Sequence, residues 1–175
     1  MKTRLLLSFL AFLIGLGVIS ASLLNTPSGI AAGQTSISSK QMYIGEVLPD
    51  HVAYPVVAAM DRFYLETATP TERIHYEIKY SHRRLEYAKA LLEKGEDKQD
   101  LALATVTKSQ KYLIKASNEA EQIDLSDSTR DLLKRALMFN IREVKELTLK
   151  FPDYDRSVLD ELRQQEQMLL DKLQS

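Results

Sequence analysis

A stripe of apolar and small residues with helical spacing runs through the middle of the chain, between Thr69 and Gly95. Its members are four and three residues apart in alternation, which places them on one side of an α-helix. They are Ile74, Ile78, Ser81, Leu85, Ala88 and Leu92, and we call them the central seam. Such a seam predicts a helix that packs against other helices and leaves little room for a reaction centre.

The same segment carries signals for both ends of the predicted helix. Thr69 can cap the first turn, Pro70 suits the first helical position, and Glu72 completes a capping box. Gly95 suits a left-handed position after the last turn. These signals predict a helix that extends from Thr69 to Gly95.

Four more helices are predicted around this one. A short helix follows Asp50 or Tyr54 as its cap, with Pro55 in its first turn. We expect its apolar side to consist of Val56, Val57, Met60, Phe63 and Tyr64. Asp97 can cap a third helix with a seam formed by Ala102, Val106, Ser109, Leu113, Ala116, Ala120 and Ile123.

A fourth helix is predicted from Ser126 or Ser128, and Pro152 ends it. Its stripe is Leu133, Leu137, Asn140, Val144, Leu147 and Phe151. Asp153 can cap the last helix, whose stripe is Leu159, Leu162, Glu166, Leu169 and Leu173. No segment has a β-strand pattern, and the connections are short. The fold class predicted is therefore all-α, an antiparallel up-and-down bundle of four to five helices.

The N-terminus predicts export. A basic start, with Lys2 and Arg4, precedes a continuous apolar run from Leu5 to Ile19, and small residues follow at two plausible cleavage sites. If the segment is not cleaved, the 20 residues Leu5 to Leu24 are long enough to cross a bilayer. We predict a signal peptide or membrane anchor in residues 1–24, a linker in residues 25–45 and the bundle in residues 46–175.

Composition narrows the function classes. The chain contains no cysteine, so it has no disulfide, no thiolate metal site and no thiol nucleophile. The formal net charge of the 175 residues is -1, which gives no general attraction for nucleic acid. The partner expected is an unknown envelope protein or an anionic envelope component, with membrane contact only through an uncleaved N-terminal segment.

Catalytic and metal-binding patterns are weak. Glu72 and His75 have the Glu-x-x-His spacing of di-iron bundles, but the pattern occurs once, and the capping box already accounts for Glu72. Other carboxylates have the spacing of exposed ion pairs, as in Asp131 with Arg135. Six glycines, mostly near the N-terminus, leave no phosphate-binding loop, and the chain has no nucleophile elbow. We expect no enzyme activity, no cofactor and no metal.

Two surface features are candidates for partner binding. A basic stripe lies on the third helix, and tyrosines and arginines lie beside the central seam on the second. The candidate partner surface is Tyr76, Tyr80, Arg83, Arg84, Tyr87, Lys108, Lys111 and Lys115. The alternatives are a solvated charged face for the lysines and core packing for the tyrosines. Asn140, within an apolar stripe, suits either a packing role or a ligand contact.

The segments EVLPDHVAYPVVAAMDRFYL, TPTERIHYEIKYSHRRLEYAKALLEKG and LALATVTKSQKYLIKA also resemble an uncharacterised bacterial family, number 5667 of the domains of unknown function. The resemblance covers roughly residues 46–116 and rests on Leu48-Pro49-Asp50, Tyr54-Pro55, Asp61-Arg62, Glu72-Arg73, Arg83-Arg84-Leu85 with Ala88, and Leu92-Glu93-Lys94-Gly95. It implies a helical domain behind a signal peptide or anchor, and no activity or cofactor.

Two functions are expected. The first is an exported, non-enzymatic helical domain that acts through contacts with a protein or the cell envelope. The second is a small-ligand sensor or carrier with a pocket between helices.

Overall fold

The computed structural model describes residues 47–174, and the predicted signal peptide or anchor and linker lie outside this range. The described part contains five α-helices, one short 3₁₀ turn and no strand, which confirms the all-α class. The elements are α1 (Tyr54–Thr67), α2 (Pro70–Lys94), the 3₁₀ turn (Glu96–Lys98), α3 (Gln99–Ala120), α4 (Asp127–Thr148) and α5 (Asp153–Gln174). None of these helices is long and apolar enough to cross a membrane.

Both predicted ends of α2 are confirmed. The Thr69 backbone N–H donates to Glu72 Oε2 at 2.9 Å, and the Glu72 N–H donates to Thr69 Oγ1 at 3.5 Å, which completes the capping box. Gly95 follows the last turn with φ 132°, a value that residues with a Cβ rarely adopt. These local signals define α2 before any tertiary contact is considered.

The other helix starts agree with the sequence only in part. Ser126 caps α4, because its Oγ accepts from the Thr129 N–H at 3.3 Å. Asp97 does not cap α3: it lies in the 3₁₀ turn and pairs with Lys98 at 3.0 Å. Neither Asp50 nor Tyr54 caps α1, whose N-cap residue is Ala53 without a side-chain bond. The carboxylates at these two starts are used by neighbouring lysines instead, since Asp50 pairs with Lys94 at 2.7 Å.

The apolar core lies between α2, α3, α4 and α5 and consists of two clusters. One is formed by Leu85, Ala88, Leu91, Ala102, Val106, Val144, Leu147, Phe151 and Leu159. The other is formed by Ile74, Leu113, Ala116, Ala120, Leu125, Leu133, Leu137 and Leu170. The predicted stripes of these four helices supply most of both clusters, and burial of this apolar surface is the main term that stabilises the bundle.

Polar residues occupy the positions between the two clusters. Asn140 Nδ2 donates to Ser109 Oγ at 2.7 Å and to Ser81 Oγ at 3.2 Å. All three are buried and come from α4, α3 and α2. Asn140 therefore has a packing role: its hydrogen bonds connect three helices and fix their register.

Two pairs of contacts give the relative direction of α2 and α3. Ser81 meets Ser109 at 3.0 Å between hydroxyl oxygens, and Arg73 Nη1 meets Glu119 Oε1 at 3.0 Å. Residue numbers fall along α2 as they rise along α3, so these two helices are antiparallel. The first helix, α1, packs against α2 and against no other described helix.

Candidate functional site

The first helix is oriented opposite to the prediction. Four of its five predicted inward residues, Val56, Met60, Phe63 and Tyr64, are exposed, and Val57 is half-buried. With the preceding Val52, which is 91% exposed, three of them form a line along the helix. We call Val52, Val56, Met60 and Phe63 the α1 apolar stripe. An amphipathic helix normally buries this side, so the orientation of α1 needs a separate cause.

That cause is a buried carboxylate. Asp61 is the one buried residue of α1, with 5% of its surface exposed. Its Oδ2 accepts from Arg84 Nη2 at 3.2 Å and from Arg83 Nη2. Because the two arginines are neighbours on α2, they hold a single acidic side chain between them and orient the polar side of α1 inward.

Three tyrosines enclose these arginines. The Arg84 guanidinium lies 5.0 Å from the ring centre of Tyr54 and 5.9 Å from that of Tyr87. Arg83 lies 4.8 Å from the ring centre of Tyr80. Burial, and secondarily the nearby Asp61 carboxylate, raise the pKa of Tyr80 to about 12. The rings exclude water from the ion pairs and face the guanidiniums with their π surfaces.

The charges in this contact do not balance. Two guanidiniums face one carboxylate, and the Arg84 Nε and Nη1 and Arg83 Nε atoms are buried without a hydrogen-bond partner in the described part. Each buried unsatisfied donor costs about 1 to 3 kcal/mol. The contact therefore orients α1 but stabilises its attachment less than an apolar interface of the same size.

Polar contacts also fix both ends of α1. Arg73 on α2 donates to the carbonyl oxygens of Leu65 at 3.1 Å and Ala68 at 3.2 Å, at the end of α1. Near its start, Asp50 accepts from Lys94 Nζ at 2.7 Å, and this lysine lowers the pKa of the Asp50 carboxyl. The attachment of α1 is thus made largely of charged groups.

The candidate partner surface beside the central seam is corrected by burial. Tyr80, Arg84 and Tyr87 are buried, with 3%, 3% and 6% of their surfaces exposed, and cannot form an open surface. Tyr76 and Arg83 are half-buried. The reason is a second buried stripe on α2, with spacings of three and four, part of which is covered by α1. It is Glu77, Tyr80, Arg84, Tyr87 and Leu91.

The three lysines of the predicted basic stripe differ from one another. Lys108 and Lys111 are exposed and have no ion-pair partner among residues 47–174. Lys115 Nζ lies 2.7 Å from Glu77 Oε1, a fully buried carboxylate of α2. Burial raises the pKa of Glu77, and Lys115 partly opposes this. Only the first two lysines are available to an anionic partner.

A groove of about 320 Å³ lies between α2 and α4, above α3. Its apolar wall includes Ile78, Leu113 and Phe139, and its polar end includes Ser81 and Asn140. The exposed side chains of Lys79, Arg135 and His82 also line it, and the first two carry a positive charge. The predicted exposed ion pair between Asp131 and Arg135 is not formed.

A buried acid lies between α3 and α5. Glu166 is fully buried, and its Oε2 accepts from Gln110 Nε2 at 3.4 Å. Burial raises the pKa of Glu166 to about 8, so the carboxyl is largely protonated at neutral pH. Within residues 47–174 the Glu166 Oε1 and Gln110 Oε1 atoms are buried without a hydrogen-bond partner.

No group of three or more His, Asp or Glu within residues 47–174 is arranged to hold a metal ion. Asp61, Tyr54 and Glu166 were not among the predicted site residues. Glu166 has a sequence signal as the charged position within a leucine stripe, whereas Asp61 and Tyr54 have one only in the family resemblance and, for Tyr54, as a candidate cap. Comparison of the chain with protein-family models, curated proteins and solved structures gives no match.

Proposed function

We propose that this chain is an exported, non-enzymatic helical domain that acts through contacts, with α1 as the contact helix. The partner proposed is the lipid surface of the membrane, in place of the envelope protein or anionic component that the sequence alone predicts. The observation that carries the proposal is the reversed orientation of α1, which exposes Val56, Met60 and Phe63 and buries Asp61. An uncovered apolar line of this kind is typical of a surface that another apolar phase covers.

In this proposal, helices α2 to α5 form a rigid support on which α1 is held. We infer that α2 to α5 form the predicted antiparallel up-and-down bundle, since α2 and α3 are antiparallel and the later connections are short. We also retain the proposal that the chain belongs to family 5667 of the domains of unknown function.

The position of α1 in the chain favours lipid as the partner. If the predicted signal peptide or anchor is not cleaved, Leu5 to Leu24 would cross a bilayer, and the predicted linker of residues 25–45 would connect it to the described domain. If residues 25–45 are the flexible linker that the sequence predicts, their mean end-to-end span is about 25 Å. An anchored chain would therefore keep α1, its first described helix, within reach of the membrane surface.

The chemistry of α1 also fits an interface between water and lipid. Valine, methionine and phenylalanine insert into the boundary between headgroups and acyl chains, and tyrosines lie at that level. The exposed charges of the helix, Arg62 and Glu66, pair with each other at 2.7 Å. Lipid contact should therefore depend on apolar burial and hardly on the charge of the lipid.

A tryptophan probe tests this proposal without background, because the chain contains no tryptophan. The Phe63→Trp variant of the full chain is placed in nanodiscs of phosphatidylcholine, with and without brominated acyl chains. We expect a blue-shifted emission that brominated lipid quenches. The Lys108→Trp variant, on the exposed face of α3, is the matched control and should not be quenched.

The alternatives appear as outcomes of the same experiment. Quenching of the Phe63→Trp variant only when anionic lipid is present would contradict the apolar contact and favour an anionic envelope component. If the Phe63→Trp and Lys108→Trp variants have the same emission in all lipids, lipid is rejected as the partner and an envelope protein is favoured.

A second candidate function is the binding of a small ligand between helices. The groove between α2 and α4 is the specific observation that favours it, since its volume of about 320 Å³ lies at the lower end of the range for ligand sites. A ligand retained by the purified full chain would support this candidate. If a larger side chain placed in the groove abolished this retention, the ligand would be assigned to the groove.

A further inference from the structure

The groove between α2 and α4 combines an apolar wall with cations along its opening. Its residues on α4 extend from Leu132 to Asn140, eight positions or about 12 Å along the helix. The half-buried Phe139 ring forms part of the wall, and the His82 ring meets it edge-to-face with 5.2 Å between ring centres. A groove of this length and volume accepts one chain of medium length and excludes a lipid with two acyl chains.

The cations that line the groove have no acidic partner. Lys79 and Arg135 are exposed, come from opposite sides of the groove, and have no ion pair with any residue of the described part. Elsewhere most basic residues of α2 are paired, for example Lys89 with Glu143 at 2.9 Å. The potential along the groove therefore favours an anion.

An unsatisfied acceptor lies at the polar end of the groove. Asn140 uses both Nδ2 hydrogens, on Ser81 and Ser109, and the Ser109 hydroxyl donates to the Ser81 carbonyl oxygen at 2.8 Å. Asn140 Oδ1 is buried and has no hydrogen-bond partner in the described part of the chain. A carboxylate has no hydrogen to donate to this acceptor, so an anionic headgroup is expected at the opening of the groove and not beside Asn140.

We propose that this groove binds a free medium-chain carboxylate, with the chain against Ile78 and Phe139 and the carboxylate between Lys79 and Arg135. This inference names the ligand class of the second candidate function and rests on it. It does not depend on the contact of α1 with lipid, because the groove and the α1 apolar stripe share no residue.

The test uses a decanoate that carries a photoreactive diazirine, with the full chain in phosphatidylcholine nanodiscs. We expect the label on the peptides that contain residues 78–82 and 132–140. Excess decanoate should displace the probe, while decyltrimethylammonium, with the same chain and a cationic head, should not. The Ala136→Leu variant, which fills the groove, should lose the label.

Two charge variants locate the headgroup. The double variant Lys79→Gln/Arg135→Gln should weaken displacement by decanoate several-fold, because it removes both positive charges that would face the headgroup. The control Lys108→Gln/Lys111→Gln removes the same charge from α3 and should have no effect. Equal displacement by both decyl compounds would overturn the carboxylate as the headgroup, although the groove would still bind a ligand. Unchanged labelling of the Ala136→Leu variant would overturn the groove as the binding site.

Discussion

The contact of α1 with α2 and the packing among α2 to α5 use opposite chemistry. In the bundle, leucines such as Leu85, Leu133 and Leu137 are fully buried, and apolar burial supplies the stability. In the α1 contact, Asp61 and Arg84 are buried, whereas the α1 apolar stripe is exposed. The difference indicates that α1 is attached for its orientation, while the bundle provides the stable support.

The largest expected effect is the pH dependence of stability that arises from the buried carboxyl group of Glu166. Glu166 has a pKa of about 8 in the folded chain against an ordinary value of 4.5, so the folded state holds its proton more tightly. The contribution of Glu166 to the free energy of unfolding is therefore greatest below pH 4.5 and is lost as the pH rises from about 4.5 to 8. We expect a loss of about 4 kcal/mol between pH 5 and 9.

The measurement is the free energy of unfolding in urea as a function of pH. The Glu166→Gln variant should lose most of this dependence, although Glu77, whose pKa is also raised, leaves a residual slope of the same sign. Glu161→Gln, an exposed site on the same helix, is the control and should follow the wild type. A Glu166→Gln variant with the full pH dependence would show that Glu166 is not buried as an acid.

The next effect tests the apolar side of the comparison. Leu137→Ala removes a fully buried side chain and should lower the free energy of unfolding by about 3 kcal/mol. Leu149→Ala, at a leucine that is 73% exposed, makes the same chemical change and should stay within about 0.5 kcal/mol of the wild type. Similar losses for the two variants would mean that the core is not where the structure places it.

A smaller, local effect is expected for Asp61→Ala. Without the carboxylate, Arg83 and Arg84 repel each other under α1, and α1 should open while the bundle stays folded. Hydrogen exchange should become faster in α1 alone, with a change of about 1 kcal/mol or less in global unfolding. Asp131→Ala on α4 removes the same charge from an unpaired, exposed site and should leave α1 unchanged. Protection of α1 retained in Asp61→Ala would contradict attachment by charge.

The smallest effect should come from the α1 apolar stripe. Val56 is 64% exposed, so Val56→Ser should change the free energy of unfolding by less than about 0.5 kcal/mol. Val144→Ser in the core is the matched control and should be strongly destabilising. A large loss in Val56→Ser alone would show that the stripe packs within the domain.

Local signals were sufficient to predict most of the bundle. The capping box at Thr69 and Glu72, the Gly95 end and the stripes of α2 to α5 follow from spacing and from backbone preferences that neighbouring residues determine. The orientation of α1 could not be predicted in this way. From the sequence of α1 alone, its apolar side is the expected inward face. The side that carries Asp61 becomes favourable only because Arg83 and Arg84 of α2 lie opposite it.

The candidate site was predicted only in part for the same reason. Arg83, Arg84 and the tyrosines were recognised as unusual, but whether a side chain is on a surface depends on which helix covers it. The sequence of α2 alone shows two stripes of similar spacing, and only the position of α1 decides that Tyr80 and Tyr87 are buried. Asp61 has its role only through a contact with Arg83, which is 22 residues away in the sequence, and local sequence patterns do not predict such a contact.

Three methionines provide the most direct test that the α1 apolar stripe is covered in the working protein. Met60, Met138 and Met168 are 50%, 56% and 59% exposed, so in the chain alone they should oxidise at similar rates. Mild peroxide treatment of wild-type protein in its native membranes, followed by mass spectrometry, measures the three rates together. The proposed contact predicts that Met60 oxidises several-fold more slowly than Met138 and Met168. Equal rates at all three would contradict it.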